Sequence, residues 1–367
     1  MQQLFFVRKE TMEWREVPAP VIKNGHEALV RPFAVAKCDL DDAFLFQNLS
    51  GKLKLGSALG LVDPSVARVF KNMFKGPFPF GHECVAEVME VGDQVTHIKV
   101  GDVVAVPFQI SCGHCVHCTS GLTSVCTRVP AVATYGFGMH LSYGGAMSDL
   151  LNVPYADAML LPIPPHIDPV HLASLGDNAA DAYRTVGPYL EPNPDQRVLI
   201  IGGYAKSVGL YAVAMATALG AAHISYADQD PERLEQAHRL GAHELHSSLK
   251  AVQSMYDLVV EASSTEQGLH AAMAAVKPGG NCISVGIYMK KTRMPLVDMY
   301  AKGVTFKTGL ANARPDAEKV LQLISSGRLD LSAVTTKLES WDHSIDAFLS
   351  KSSKVIVTRA RLSEKKE

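Results

Sequence analysis

Residues 198–209 have the sequence Val-Leu-Ile-Ile-Gly-Gly-Tyr-Ala-Lys-Ser-Val-Gly, and this stretch decides the fold of the second half of the chain. The run from Val198 to Ile201 is typical of a buried strand, and Gly202-Gly203 indicates a turn before a helix predicted from Val208 to Leu219. Backbone N–H groups of such a turn, with the N-terminus of the next helix, suit a dinucleotide pyrophosphate. The spacing is not G-x-G-x-x-G, because Tyr204 stands where a glycine is often found. A tight connection without a ligand is the alternative interpretation of this turn alone.

The alternation of strand and helix continues after this turn. Apolar strands are predicted at 224–227, 258–260 and 282–285. One intervening helix has Asp230 as its N-cap and ends before Gly241. A second runs from about Glu266 to Val276 and is followed by a predicted turn at Lys277 to Gly280. Repeated units of this kind predict a parallel, doubly wound sheet and an α/β fold.

An acidic residue, Asp228, closes the second of these strands. A carboxylate at this place accepts hydrogen bonds from a ribose 2′-hydroxyl and repels a 2′-phosphate, so it predicts NAD rather than NADP. Arg233 on the following helix is expected to weaken this preference without reversing it.

The first half of the chain has a different pattern. Short Val-rich runs at 28–32, 84–88 and 102–106 alternate with Gly-containing turns, which predicts short strands. The pattern changes near Pro164, and the end of the chain holds one more helix and the strand Val355 to Val357, expected to return to the first domain.

The composition excludes several classes of protein. The chain has 367 residues, 47% of them hydrophobic, and a formal net charge of -2, so two domains are expected and a nucleic-acid or membrane-surface partner is not. No apolar run approaches the roughly 20 residues that span a bilayer. The first ten residues do not resemble a signal peptide, so a cytoplasmic location is expected. Seven cysteines then need a role other than disulfide formation.

Four of these cysteines form a C-x-x-C-x-x-C-x7-C pattern in Gly-containing sequence. Cys112, Cys115, Cys118 and Cys126 match a closed tetrahedral site for a structural zinc ion. An iron–sulfur cluster or a redox pair is the alternative. His114 and His117 lie between the thiols and are predicted to be surface residues of this lobe rather than ligands.

A second group of candidate ligands consists of Cys38 and the motif Gly81-His82-Glu83. One thiolate and one imidazole are two of the three protein ligands that a catalytic zinc uses, with a position left for substrate. Taken alone, the pair does not define a metal site, because a lone cysteine in a strand is usually a small core residue.

Taken together, these motifs resemble the zinc-containing medium-chain dehydrogenase/reductase family, the alcohol dehydrogenases in particular. The resemblance implies a GroES-like β-barrel catalytic domain, a Rossmann domain, an active site in the cleft between them, and a homodimer or homotetramer. The corresponding boundaries are 1–165 for the catalytic domain, 166–312 for the NAD-binding domain and 313–367 for the return. The zinc lobe then covers about 109–130, and an inserted helical segment covers about 48–77.

The resemblance also implies roles for single residues. Cys38 and His82 are catalytic zinc ligands, Glu83 is the nearby carboxylate, and Asp41 orients the histidine. Asp177 is similar to the aspartate third ligand of the formaldehyde dehydrogenase branch, with a helix cap as the alternative. The residues expected to bind the cofactor are Gly202, Gly203, Tyr204, Ala205, Lys206, Ser207, Val208, Gly209, Asp228, Arg233, Ala262, Val285, Gly286 and, at the pyrophosphate, Lys354.

The sequence departs from the family at the proton relay and in the insert. Leu40 replaces the usual Ser or Thr, Ala43 stands where a relay histidine is often found, and Asp39 replaces a frequently basic residue. Asp181 is a candidate for a substitute proton path or a nicotinamide contact, with a helix-surface carboxylate as the alternative.

In the insert, a helix is predicted from Asp63-Pro64 to Gly76-Pro77, as a flap or oligomer contact. Its apolar face consists of Val66, Val69, Phe70, Met73 and Phe74.

The function expected from these features is hydride transfer between NAD(H) and an alcohol or the matching aldehyde or ketone, with two zinc ions per chain. Without a hydroxyl relay, reduction of a polarised C=C or an imine, or aldehyde dismutation, is an alternative on the same scaffold. A non-enzymatic structural role is the alternative outside enzymes.

Overall fold

The computed structural model describes residues 1–62, 73–252, 255–288 and 290–363. The strands are β1 (Gln2–Arg8), β2 (Thr11–Glu16), β3 (Ala28–Ala36), β4 (Phe78–Pro79), β5 (Glu83–Val91), β6 (Val103–Val106), β7 (Leu151–Val153), β8 (Leu161–Pro162), β9 (Arg197–Ile201), β10 (His223–Ala227), β11 (Glu244–His246), β12 (Tyr256–Glu261), β13 (Val276–Ser284), β14 (Thr305–Thr308), β15 (Lys337–Ser340) and β16 (Val355–Thr358). The α-helices are Asp41–Leu45, Leu49–Ala58, Val116–Thr119, Ala156–Met159, Asn178–Leu190, Lys206–Leu219, Pro231–Arg239, Glu266–Ala275, Leu296–Lys302, Ala313–Ser325 and Ser344–Phe348. None of the helices in the described part of the chain has the length and apolar character needed to cross a membrane.

The chain divides into two compact units. The first contains residues 1–180, 312–325 and 335–367, and the second contains residues 181–311 and 326–334. Residues 166–180 therefore pack with the first unit, whereas the predicted boundary after residue 165 places them in the second. This grouping puts Asp177 in the same unit as Cys38 and His82.

The first unit is built on a mainly antiparallel sheet in the order β15-β16-β3-β5-β6-β8, with β7 also paired to β3. A smaller sheet has the order β2-β1-β4. The return of the C-terminal strand to this domain is observed, because β16 pairs with β3 along Ala34 to Ala36. Strand β3 is buried at almost every position, as expected for a strand covered on both faces.

The second unit is a six-stranded parallel sheet in the order β11-β10-β9-β12-β13-β14. The order reverses between β9 and β12, which is the crevice where open α/β sheets bind ligands. Helix Lys206–Leu219 begins two residues before its predicted start and ends at Gly220, whose φ of 81° glycine adopts without strain. Asp230 caps the next helix by accepting from the N–H groups of Glu232 and Arg233.

Two predicted elements differ from the structure. The predicted turn at Lys277 to Gly280 lies inside β13, which begins at Val276. Its Pro and Gly residues occupy an irregular stretch, because Tyr256 pairs with Val276 while Leu258 already pairs with Asn281. Val285, predicted as the last residue of this strand, follows its end.

The inserted segment contains the helix Leu49–Ala58, whose N-cap Asn48 accepts from the Gly51 N–H. The helix predicted from Asp63, with Val66, Val69 and Phe70, lies at residues 63–72 outside the described part of the chain. Met73 and Phe74 are buried, and Phe74 stacks on Phe44 with ring centroids 5.2 Å apart. These last two residues of the predicted apolar face therefore belong to the core of the first unit, and not to an exposed contact surface.

Candidate active site

The first candidate metal site brings Cys38, His82 and Asp177 together. Cys38 follows β3, His82 precedes β5, and these strands are neighbours with Ala36 paired to Glu83. Asp177 follows the 3₁₀ helix Val170–Gly176. One ligand atom from each residue, the Cys38 sulfur, a His82 ring nitrogen and an Asp177 carboxylate oxygen, lies within 4.8 Å of the others, and all three residues are buried. The structure thus assembles three residues that are far apart in sequence.

The chemistry of these three donors fits a divalent cation. His82 Nε2 lies 3.2 Å from Asp177 Oδ2, and the Asn178 amide donates to Cys38 Sγ at 3.3 Å. Burial, and then the nearby Asp177 and Glu83, raise the pKa of the Cys38 thiol well above its usual value. A buried thiol among carboxylates becomes a stable thiolate once a cation compensates the charge, and sulfur, nitrogen and oxygen are all zinc ligands.

His82 has its second nitrogen facing Asp41. Burial lowers the pKa of His82, which favours the neutral imidazole that binds metals. His82 Nδ1 lies 3.8 Å from Asp41 Oδ1, and neither atom has a hydrogen-bond partner among the described residues. The other oxygen, Asp41 Oδ2, accepts from the Cys38 N–H at 3.0 Å, and burial raises the pKa of Asp41 to about 7. The distance between His82 Nδ1 and Asp41 Oδ1 is longer than a hydrogen bond, but the Asp41 carboxylate faces the nitrogen of the imidazole that points away from Asp177.

Glu83 and Lys354 form a buried ion pair beside these ligands. The Lys354 ammonium donates to Glu83 Oε2, to the Asn178 side-chain oxygen at 2.8 Å and to the Lys37 carbonyl at 2.9 Å. Glu83 also accepts from the Asn178 N–H at 3.0 Å. Lys354 was expected at the cofactor pyrophosphate. Its buried ammonium group, with three acceptors around it, instead assigns this side chain to the support of Glu83 and Asn178.

The second candidate metal site is the four-cysteine lobe. The sulfur atoms of Cys112, Cys115, Cys118 and Cys126 lie within 4.8 Å of one another, and all four residues are buried. The backbone N–H groups of Cys118 and Thr127 lower the pKa of Cys115 to about 5, whereas burial raises the pKa of Cys118 to about 12. Cys115 therefore favours the thiolate in the absence of a cation, whereas burial opposes ionisation of Cys112 and Cys118 until a cation compensates the charge. His114 contacts the Cys112 carbonyl through Nδ1, and neither it nor His117 is part of the sulfur cluster.

The Gly-rich turn of the second unit is packed tightly against the ends of β10 and β12. The Gly202 N–H donates to the Ala227 carbonyl and the Ala205 N–H to the Ala262 carbonyl. A side chain at Gly202 would collide with Asp228 and Tyr226, and Gly203 has a φ of 151°. Tyr204, the residue that departs from the usual pattern, is 63% exposed and leaves this packing undisturbed.

The Asp228 carboxylate has donors on both oxygens. Oδ2 accepts from the Tyr226 hydroxyl at 2.9 Å and from Arg233 Nε at 2.8 Å. Oδ1 accepts from a second Arg233 nitrogen at 2.7 Å and from the Asp230 N–H at 3.0 Å. Tyr226 was missed in the sequence, although its position two residues before Asp228 on a strand places both side chains on one face.

Comparisons with known proteins agree with this architecture. The model of the alcohol dehydrogenase GroES-like domain matches residues 24–165, and that of the zinc-binding dehydrogenase matches residues 207–326. An L-threonine 3-dehydrogenase of Shewanella sp. (strain ANA-3) is 30% identical over 77% of this chain and 83% of its own length. The chain belongs to the zinc-binding alcohol dehydrogenase family. The expected family and the expected fold class are confirmed.

Further relatives of this dehydrogenase have related names. A protein of Mycobacterium tuberculosis named "Probable zinc-binding alcohol dehydrogenase" is 30% identical over 72% of this chain and 70% of its own length. The structure of an alcohol dehydrogenase from Thermus sp. ATN1 has a TM-score of 0.81 and 29% identity, over 98% of this chain and 99% of that one.

Two residues of this dehydrogenase, Leu40 and Asp181, concern the missing proton relay, and a third, Asn178, was not identified from the sequence. The Leu40 side chain has no hydroxyl and packs against the apolar core. Its backbone N–H donates to Cys38 Sγ at 3.4 Å. Asp181, the candidate for a substitute proton path, is ion-paired with Arg184. This pairing favours a structural carboxylate and disfavours a proton acceptor. Asn178, which contacts Cys38, Glu83 and Lys354, gave no signal in the sequence apart from following Asp177.

Proposed function

We propose that the protein transfers a hydride between NAD(H) and an alcohol or the matching aldehyde or ketone, with zinc at Cys38, His82 and Asp177. The convergence of one thiol, one imidazole and one carboxylate in a buried cluster carries this proposal. Three protein ligands with a position left for substrate are characteristic of catalytic zinc, whereas structural sites have four. When bound, zinc supplies Lewis-acid polarisation of the alcohol or carbonyl oxygen.

The side chains around the ligands hold them and exclude water. Asn178 donates to Cys38 Sγ and to Asp177 Oδ2, both at 3.3 Å, and thereby links two ligands. Asn178 is in turn fixed by the ion pair: its N–H donates to Glu83, and its side-chain oxygen accepts from Lys354. The Phe137 ring lies on His82 with centroids 4.1 Å apart and shields the imidazole. This support fixes the ligand geometry, and the nicotinamide performs the redox chemistry.

The proposed cofactor is NAD, bound at the carboxyl edge of the parallel sheet. Support comes from Asp228 after the end of β10, where a carboxylate meets an adenosine ribose in dinucleotide-binding sheets. Arg233 neutralises part of this charge, so the preference over NADP is weaker than an unpaired aspartate would produce. Because the Asp228 side chain is 2% exposed and Tyr226 is fully buried, Arg233 is the partner that a ribose hydroxyl can displace most easily.

The structural zinc ion is proposed at Cys112, Cys115, Cys118 and Cys126, which brings the total to two per chain. Four sulfur ligands saturate a tetrahedral ion and leave no position for substrate. None of the seven cysteines forms a disulfide, which supports a reducing compartment and the proposed cytoplasmic location.

We further propose a homodimer or homotetramer. In the second unit, β14 is an edge strand, and the neighbouring helix Leu296–Lys302 exposes large apolar side chains. Val297 is 81% exposed and Tyr300 is 91% exposed. An edge strand beside an exposed apolar surface is a site for pairing with a second copy of the chain.

The missing hydroxyl at Leu40 favours the reductive direction. The same residue favours, as a second candidate, reduction of a polarised C=C or an imine. A screen of alcohols, aldehydes, ketones, enones and imines with NAD and NADP, followed by absorbance of the reduced cofactor, tests both. We expect turnover of an alcohol–carbonyl pair and better performance with NAD. Turnover of enones or imines alone would favour the second candidate, and turnover of no substrate in either class would overturn both.

A further inference from the structure

Glu261 is a fully buried carboxylate at the last position of β12. Five donors surround it: the Ser263 N–H at 2.8 Å, the Ser263 hydroxyl at 2.6 Å, the Ser264 N–H at 3.1 Å, the Ser284 hydroxyl at 2.7 Å and the Tyr288 hydroxyl. Backbone N–H groups can only donate, and five donors more than fill the roughly four acceptor sites of an ionised carboxylate. Glu261 is therefore a buried anion held by dipoles.

The hydrogen-bond partners of Glu261 carry no formal charge. Its hydrogen bonds come from hydroxyl and backbone groups, and within the described part of the chain no lysine or arginine pairs with it. The nearby Arg184 donates to the Ser284 carbonyl at 3.3 Å, but it is itself neutralised by Asp181. Because the whole Glu261 side chain is buried, solvent screens its charge much less than it screens a surface acid. The end of β12 thus keeps a net negative charge.

This charge lies in the half of the sheet that receives the nicotinamide. A doubly wound sheet binds a dinucleotide across the carboxyl ends of its strands, one mononucleotide on each half, and here the halves meet between β9 and β12. Asp228 after the end of β10 marks the adenosine half, so β12 and β13 belong to the nicotinamide half. Glu261 and Ser284 are the last residues of these two strands.

Glu261 also contacts the segments expected to bind the cofactor. Ala262 follows it directly, and the Val285 N–H donates to the Glu261 carbonyl at 3.0 Å. A side chain at Gly286 would come within 2.7 Å of the Glu261 carboxylate. The charge therefore lies directly against the backbone of the segments expected to bind the cofactor.

We infer that Glu261 adjusts the relative affinity of the protein for oxidised and reduced cofactor. The nicotinamide ring is positively charged in NAD⁺ and neutral in NADH, so a buried, uncompensated carboxylate stabilises bound NAD⁺ more than bound NADH. The inference rests on the proposed function, because it requires a nicotinamide cofactor on this sheet. It assigns Glu261 a role as a positioning and tuning residue, without contact with the reacting atoms.

Equilibrium binding tests this inference without measuring turnover. The dissociation constants of NAD⁺ and NADH are measured by calorimetry and fluorescence for the wild type, Glu261→Gln and Tyr288→Phe. We expect Glu261→Gln to weaken NAD⁺ binding about three- to tenfold more than NADH binding, as a partly screened charge would. Tyr288→Phe removes one donor and keeps the charge, so the ratio of the two constants should stay within about twofold of the wild type.

Tyr288→Lys provides a second test if Glu261→Gln does not fold. It adds a cation next to the same carboxylate from a partly exposed position, and it should shift the ratio in the same direction as Glu261→Gln. Equal weakening of NAD⁺ and NADH binding by Glu261→Gln would show that Glu261 only supports the loop structure. An unchanged ratio of the two dissociation constants in both Glu261→Gln and Tyr288→Lys would overturn the inference. Failure of the wild type to bind either cofactor would instead overturn the proposed function.

Discussion

The four-cysteine lobe and the Cys38–His82–Asp177 cluster are both buried groups of metal-ligand atoms, but they are built differently. In the lobe, the outermost ligands Cys112 and Cys126 are 14 positions apart. In the cluster, His82 and Asp177 are 95 positions apart. The lobe is a local structure held by its own backbone, whereas the cluster depends on the fold of the whole first unit. Zinc is expected to stabilise the fold of the lobe, whereas in the cluster it is expected to serve catalysis.

The supporting groups differ in the same way. In the lobe, backbone N–H groups of Cys112 and Cys115 donate to sulfur atoms at 3.4 Å. In the cluster, the supporting groups include the side chains of Asp41, Glu83, Asn178 and Lys354. Side-chain support can be removed by single substitutions without disrupting the local backbone structure, so the two sites make separable predictions.

The largest effect is expected from removing one ligand of each site. His82→Ala should leave a folded protein with about one zinc per chain and should reduce turnover by more than the roughly 10- to 100-fold typical of substitutions behind the ligands. Cys112→Ser should mainly lower the folding yield, because a structural zinc contributes directly to folding. Zinc content, circular dichroism and turnover measured on both variants check this. Normal turnover of His82→Ala would show that the catalytic assignment is wrong.

A chelator should remove the zinc ions from the two sites one after the other. The open cluster has three protein ligands and the lobe has four, so a chelator should take the cluster zinc first. We expect loss of turnover to accompany release of the first zinc ion, with the fold intact, and unfolding to accompany release of the second. Zinc release followed by a colorimetric indicator, in parallel with circular dichroism, measures both. Simultaneous release and unfolding would contradict the separation of the two roles.

A smaller effect is expected from the buried Glu83–Lys354 pair. Glu83→Gln leaves the Lys354 ammonium without its carboxylate, and breaking a buried pair in this way costs about 3–5 kcal/mol of unfolding free energy. Affinity for the cluster zinc should fall roughly 10- to 100-fold, while the lobe zinc is retained. Denaturant unfolding and zinc titration measure the two quantities.

The matched control is the double variant Glu83→Gln with Lys354→Met, which removes both charges. It should recover part of the lost stability, because no uncompensated charge remains buried. Equal stability of the single and the double variant would mean that the ion pair does not couple these two residues.

The same difference explains what could be predicted from the sequence. The lobe was identified from spacing alone, because its ligands are neighbours in the chain. Cys38 and His82 became convincing only through the order of motifs along the chain. Asn178 and the buried position of Lys354 could not be predicted, since they depend on packing between distant segments. The parallel sheet followed from periodicity, but the irregular start of β13 did not, because its Pro and Gly residues also fit a turn.

The smallest effect concerns Leu40, next to the cluster. A hydroxyl at this position would accept the proton released when an alcohol is oxidised, and leucine cannot accept it. The proton must then leave to water, so oxidation by the wild type should be slow at neutral pH and should rise toward alkaline pH as hydroxide becomes available.

A positioned acid–base group can contribute roughly 10²–10⁴-fold to the rate. Leu40 is packed against the core, so a hydroxyl placed there lacks the partners of a complete relay, and we expect Leu40→Ser to recover less than the lower end of this range. The pH profiles of oxidation by the wild type, Leu40→Ser and the apolar control Leu40→Val decide the point. Fast oxidation by the wild type at neutral pH, or an equal gain in Leu40→Ser and Leu40→Val, would show that a missing relay does not limit this enzyme.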